Sequence, residues 1–284
     1  MNEIVEIDVI NIENMIYEID GKEVMLDSDL AKLYQVETKR INEAGTGQDM
    51  ILIHGRGYSK ENMKPLFNYY KGKCHVISYD VRGHGESDKP EKFSLEDHVK
   101  DLKGIVEEYN LVDPIVIGFS MGSYIALKTA ETYPDLFSKI VLIGTKGTGK
   151  TSSIQKINEE NKNKKEEDLF KIIRKKIFAP HVTLEQIQEF DKEIASSVVL
   201  TKEQNEAIDK ALQNFDLIED ANKVLTPVLV MTGEYDGLNP VEEGKKVADA
   251  LPNSTFEMIQ NAGHIAFFEN KEQVLSLINH FITN

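Results

Sequence analysis

The chain has 284 residues, 40% hydrophobic and 29% charged, ordinary proportions for a globular protein with a deep core. Its formal net charge of −15 excludes a surface built mainly for nucleic acid or anionic lipid. The single cysteine, Cys74, excludes an intramolecular disulfide and suits a reducing compartment.

Two absences add a location. The acidic start lacks the basic and apolar parts of a signal peptide, and no apolar run reaches the ~18 residues of a membrane span. A cytoplasmic location, with no membrane partner, is therefore expected. Cys74 opens a strand-like run through Tyr79 and reads as a small core residue.

Residues 1–45 differ in character from the rest of the chain and are read as a separate segment. Met15–Ile19 and Lys22–Leu26 are strand candidates around Asp20-Gly21, a two-residue hairpin signal. Leu26–Ala44 then reads as helix, turn, helix, with Leu30, Leu33 and Tyr34 on one face and Val36 and Ile41 beginning the next. Over about thirty residues this hairpin and the run Asp29-Leu30-Ala31-Lys32-Leu33-Tyr34 through Asn42-Glu43-Ala44 resemble the start of phage-type KilA-N-related DNA-binding domains, found on antirepressors. The resemblance ends near Ala44, without the later helices and strands, and Gln35 stands where that family has a turn glycine. Four basic residues oppose eleven acidic ones over 1–45, a net −7, so the segment is a poor electrostatic match to DNA. Nucleic acid is not an expected partner.

Gly45-Thr46-Gly47-Gln48 breaks the chain and opens a second domain, 46–284. Strands are predicted at Met50–His54, Val76–Tyr79, Ile115–Ile117, Ile140–Ile143, Val228–Met231 and Phe256–Ile259. Helices are predicted at Pro65–Lys71, Leu95–Tyr109, Ser123–Ala130 and Glu272–Ile282, the last with Val274, Leu275, Ile278 and Phe281 on one face. The alternation implies an α/β domain with a mostly parallel sheet covered by helices on both faces. Between about 147 and 223 no strand pattern appears. Helical spacing at Leu169, Ile172, Ile173, Ile177 and at Ile187, Phe190, Ile194 marks an inserted helical cap, and the charge run Asn161–Glu167 reads as solvated helix face or loop.

The most informative stretch is Gly118-Phe119-Ser120-Met121-Gly122, set between a β-branched run and an Ala/Leu-rich helix. A strand-to-helix turn this tight strains the serine backbone and lifts its Oγ above the sheet edge. Glycines are needed beside it because a Cβ would collide with the neighbouring strand and helix. The helix N-terminus behind Ser120 offers free N–H groups to an anionic intermediate.

With this elbow stand His54-Gly55, Asp80-Val81-Arg82-Gly83-His84-Gly85-Glu86-Ser87, Gly233-Glu234-Tyr235-Asp236 and Gly263-His264. From Gly45 onward the chain resembles the α/β-hydrolase family, specifically its small capped members. Family members begin with an antiparallel hairpin before the glycine turn. Here Met15–Leu26 is expected to stand in for it, with Asp29–Ala44 as a helical detour; the alternative is a sheet lacking its first edge.

The resemblance implies that Ser120 is the nucleophile, His264 the general base and acid, and Asp236 the group that orients the imidazole. It implies an oxyanion hole from the backbone N–H groups of Met121 and Arg56. The Arg56 guanidinium has two readings, contact with a substrate carboxylate or projection into solvent. His54, His84, His181 and His280 are weaker candidates for the base, since none follows a final strand on a glycine turn. Asp80 at a strand end is expected to organise the Arg82–Ser87 loop.

Gly144-Thr145-Lys146-Gly147-Thr148-Gly149-Lys150-Thr151 also fits the phosphate-loop pattern, with Lys150 as its point charge. No downstream strand ends directly in a magnesium-binding aspartate, and the loop falls where the chain leaves the sheet, so nucleotide binding is not expected. Cys-x-x-Cys and His-x-x-x-His are absent, and neither metal nor cofactor is expected. The expected activity is hydrolysis of a small carboxylic ester, thioester, lactone or related activated carbonyl compound through an acyl-serine. Carbon–carbon hydrolysis, peracid formation and elimination remain open alternatives on the same residues. An inactive binding protein and a DNA-linked regulator acting through 1–45 are the alternatives of other classes.

Overall fold

The computed structural model describes residues 41–194 and 198–283, and the backbone of 16–19 and 22–25. The chain divides into two units, Met1–Ile41 and Asn42–Asn284. In the first, strands β1 (Ile16–Ile19) and β2 (Lys22–Met25) pair antiparallel, Ile16 opposite Met25 and Ile19 opposite Lys22. The register leaves two residues between them, as Asp20-Gly21 demands. Most of the expected helix-turn-helix, 26–40, lies outside the described residues.

Its last four residues do not continue a helix. Ile41–Ala44 is strand β3, at one edge of a seven-stranded sheet. Tertiary pairing overrides the local helical reading there. Glu43 accepts from the His75 imidazole at 2.8 Å, and the Asn42 amide reaches Glu61 at 3.4 Å. The strands β1 and β2 form a two-stranded sheet of their own.

The sheet strands are β4 (Asp49–Ile53), β5 (His75–Tyr79), β6 (Ile115–Phe119), β7 (Lys139–Ile143), β10 (Val228–Gly233) and β11 (Ser254–Ile259). The pairs β5/β4, β4/β6, β6/β7, β7/β10 and β10/β11 are all parallel. Parallel strands need helical crossovers, and helices α1 (Lys64–Tyr70), α2 (Leu95–Glu108), α3 (Met121–Thr132) and α8 (Val241–Ala250) supply them. Strands buried on both faces carry unbroken apolar runs, which is why Met50, Ile51, Leu52 and Ile53 are all fully enclosed. Alternate residues pack on each side. Met50, Leu52, Ile117 and Phe119 share a core with Leu66 and Tyr70 of α1. The same core takes in α9 (Ala266–Glu269) and α10 (Lys271–Thr283), through Phe267, Val274 and Ile278.

Between β7 and β10 lie helices α4 (Ser153–Glu160), α5 (Glu166–Ile177), α6 (Leu184–Glu193) and α7 (Lys202–Ala211). The expected absence of strands fails at both ends of this insertion. Two-residue strands β8 (Thr148–Gly149) and β9 (Phe215–Asp216) pair antiparallel and close its neck. Pairs this short leave no alternation in the sequence. Phe190 of α6 anchors the insertion in the sheet core, its ring 4.4 Å from that of Phe268. Among the described residues no helix is long and apolar enough to cross a membrane.

Candidate active site

Ser120 sits where β6 turns into α3, at φ 51° and ψ −116°, a backbone region that a side chain adopts only under constraint. Two contacts supply the constraint. A Cβ on Gly118 would lie 2.4 Å from the Gly122 carbonyl oxygen, and one on Gly122 would lie 2.2 Å from that of Ile53. Only glycine lets helix, elbow and neighbouring strand approach this closely. The turn is pinned by Ser120 N–H donating to Ile143 O at 2.8 Å and Ser123 N–H to Ser120 O at 2.9 Å.

The loops after β10 and β11 bring two more residues to this point. Asp236 Oδ1 accepts from the backbone N–H groups of Leu238 (2.9 Å) and Asn239 (2.8 Å), which fixes the carboxylate plane. Its Oδ2 lies 2.7 Å from His264 Nδ1. His264 Nε2 lies 2.9 Å from Ser120 Oγ. A carboxylate only accepts, so Nδ1 carries the ring proton and Nε2 is left to accept from the serine hydroxyl. Asp236 and His264 are only 4% exposed, so little water competes for these bonds. A serine in this setting can pass its proton to Nε2 as it attacks, the imidazolium being stabilised by Asp236.

Behind Ser120 the Met121 N–H opens α3, and the Arg56 N–H follows β4. Neither donates to a backbone carbonyl of a described residue. The cavity over Ser120, about 170 Å³, is walled by Gly55, Tyr58, Phe119, Tyr124, Ile177 and Leu238 among others, mostly apolar surface.

The Arg56 side chain does not project into solvent. Its Nε and Nη2 donate to Oδ1 and Oδ2 of Asp209, at 2.7 and 2.8 Å, so these two donors are taken within the chain. Two further residues that sequence reasoning missed brace the site. Asn239 donates to Tyr124 Oη (2.7 Å) and to the Gly144 carbonyl (2.6 Å), while Ser153 Oγ donates to Asn239 Oδ1 (2.8 Å). Asn239 had a signal, lying three residues after Asp236 in one turn; Ser153 had none.

The other histidines have other tasks. His54 Nδ1 donates to Gly55 O at 2.8 Å and Nε2 accepts from Val81 N–H at 3.0 Å, and burial lowers its pKa. Burial holds His84 well below the ordinary imidazole range. His181 and His280 are exposed. Asp80 accepts from Lys60 N–H (2.7 Å), Lys60 Nζ (3.1 Å) and Glu86 N–H (2.9 Å), tying the Arg82–Ser87 loop to the strand end. The phosphate-loop pattern forms no cradle, since Thr148–Gly149 is extended in β8 and Lys150 is exposed. Lys146 donates to Thr151 O (3.2 Å) and Ser153 Oγ (3.1 Å), and burial pulls its pKa down to about 8.

Comparison with known proteins shows the family of the fold. The family model for the alpha/beta hydrolase fold matches residues 50–271. The ORF6N domain matches residues 14–47, the stretch with the hairpin. The solved structure of Rv0554 from Mycobacterium tuberculosis superposes with a TM-score of 0.72 at 26% identity, covering 86% of this chain and 92% of that one. An esterase, EaEST from Exiguobacterium antarcticum, superposes at 0.73 with 21% identity over 86% of this chain and 95% of its own, a likeness of fold alone. The 2-(acetamidomethylene)succinate hydrolase of Mesorhizobium japonicum is 26% identical over 263 residues, 86% of this chain and 91% of that protein. With most of its length matched, this chain belongs to the alpha/beta hydrolase fold family.

Proposed function

We propose that this protein is a serine hydrolase cleaving a small carboxylic ester, thioester, lactone or related activated carbonyl compound through an acyl-serine intermediate. The observation that carries the reading is the continuous line Ser120 Oγ–His264 Nε2 (2.9 Å) and His264 Nδ1–Asp236 Oδ2 (2.7 Å), at the tip of a strained elbow. His264 takes the serine proton during attack and returns it to the leaving group. Asp236 holds the tautomer and stabilises the imidazolium. The Met121 and Arg56 N–H groups receive the oxyanion, each donor being worth about 3 kcal/mol of barrier. Water then attacks the acyl-serine with His264 as base, releasing the acid.

The residues from about 147 to 223 act as a cap, contributing Ser152, Ile154, Ile177 and Leu212 to the pocket wall. A cavity of about 170 Å³ lies below the ~300 Å³ at which drug-sized pockets begin, which favours a short acyl group. Turnover of short-chain p-nitrophenyl esters tests the reading. Ser120→Ala and His264→Ala are each expected to abolish it while melting stays near that of the parent; near-parental turnover in either would refute the mechanism.

A further inference from the structure

Among the described residues lining the cavity over Ser120, Arg56 alone bears a fixed charge. That charge is already answered from within the chain. Asp209, on α7, takes the Nε and Nη2 donors of the guanidinium, and Ser152 Oγ donates to the same carboxylate at 2.6 Å. Arg56 and Asp209 side chains are 14% and 11% exposed. Ala207, Ile208, Ala211 and Leu212 beside Asp209 are buried core residues, so this carboxylate sits on an inward face, where an acid is retained only if paired. Ser152 also caps α4 by accepting from Gln155 N–H at 3.0 Å. Two helices of the insertion and the loop after β4 thus meet on one carboxylate, held by Arg56 and Ser152 of the pocket wall.

A planar guanidinium offering two parallel donors is the arrangement by which proteins bind a ligand's carboxylate. Here a protein carboxylate holds that position. Resting on the acyl-serine reading, we propose that Asp209 is a specificity-determining residue: it holds the two Arg56 donors that a substrate carboxylate would need, so the acyl group accepted is uncharged. A substrate bearing a terminal carboxylate would have to expel Asp209 into apolar surroundings or lie against a like charge. Lys146 does not substitute as a counter-ion, because it lines an outer groove of about 850 Å³ and not the cavity.

The test compares methyl 4-methylpentanoate with monomethyl succinate, which match in shape but carry an isopropyl group or a carboxylate at the acyl end. Their kcat/KM values are measured for the full chain and for Asp209→Asn, with fluorophosphonate labelling of Ser120 on the same preparations. The parent is expected to prefer the neutral ester at least 100-fold. Asp209→Asn keeps the shape, frees the guanidinium charge, and is expected to cut that preference at least tenfold by lowering KM for the acidic ester. A merely structural role would slow both esters together and leave the ratio alone, which would overturn the proposal. Equal use of the two esters by labelled parent protein would overturn it as well, and this arm decides if Asp209→Asn does not fold. Absence of both labelling and turnover in the parent would instead overturn the acyl-serine reading, and this inference with it.

Discussion

Asp236→Asn isolates one step of the proposed mechanism with little change of shape. Two backbone N–H groups, from Leu238 and Asn239, point at Oδ1. In the asparagine variant only the amide oxygen can accept both, so the NH2 group is forced to face His264. It then donates to Nδ1, the proton moves to Nε2, and the ring no longer accepts from Ser120 Oγ. The wrong tautomer at this position in a serine hydrolase lowers kcat on the order of 10⁴-fold, about 5.5 kcal/mol of barrier. The assay is kcat on a short-chain p-nitrophenyl ester at pH 7.5, with a thermal melt as control. A drop of three to four decades with a melt near the parent is expected. Activity within tenfold of the parent would show that Asp236 does not set the tautomer, and the reasoning from its two N–H partners would fall.

Gly122→Ala places a methyl 2.2 Å from Ile53 O and 2.8 Å from His54 O, backbone atoms that cannot rotate away. It is expected to lower stability by about 3 kcal/mol and to disturb Ser120, read as a lower urea midpoint and reduced ester turnover; an unchanged midpoint would contradict the close packing. The buried imidazoles set the acid limit of the fold. Burial takes His98 down to about 3 and lowers His54 and His84, while neither ring nitrogen of His98 finds a partner among the described residues. Below the unfolded value near 6.5 the unfolded chain binds protons that the folded chain does not, so stability is lost as pH falls from about 6.5. His98 alone accounts for about 2 kcal/mol of that loss at pH 5. A urea midpoint unchanged between pH 7 and 5 would refute this assignment.

What the sequence made legible was local and covalently fixed. The Gly-x-Ser-x-Gly spacing dictates a strand-to-helix turn wherever an apolar strand precedes it, so Ser120 and both flanking glycines could be placed without coordinates. Asp236 and His264 were legible through the resemblance to the α/β-hydrolase family, and each stands after a strand of the parallel sheet, whose ends gather on one edge. Contacts between distant, ordinary-looking residues were not legible. Asp209 reads as one more polar position on a charged helix, and its partner Arg56 lies 153 residues away. Ile41–Ala44 carries helix-compatible residues, and only its place in the seven-stranded sheet makes it a strand. The glycines and Lys150 of the phosphate-loop pattern serve an extended connection into the insertion, which a pattern of residue types does not distinguish from an anion cradle.

The most direct measurement of the central claim is labelling of the full chain with a fluorophosphonate, followed by mass spectrometry of the peptide containing residue 120. A single adduct on Ser120, lost in His264→Ala, is expected from a hydroxyl activated by its imidazole. An unlabelled Ser120 in folded protein, or equal labelling without His264, would contradict it.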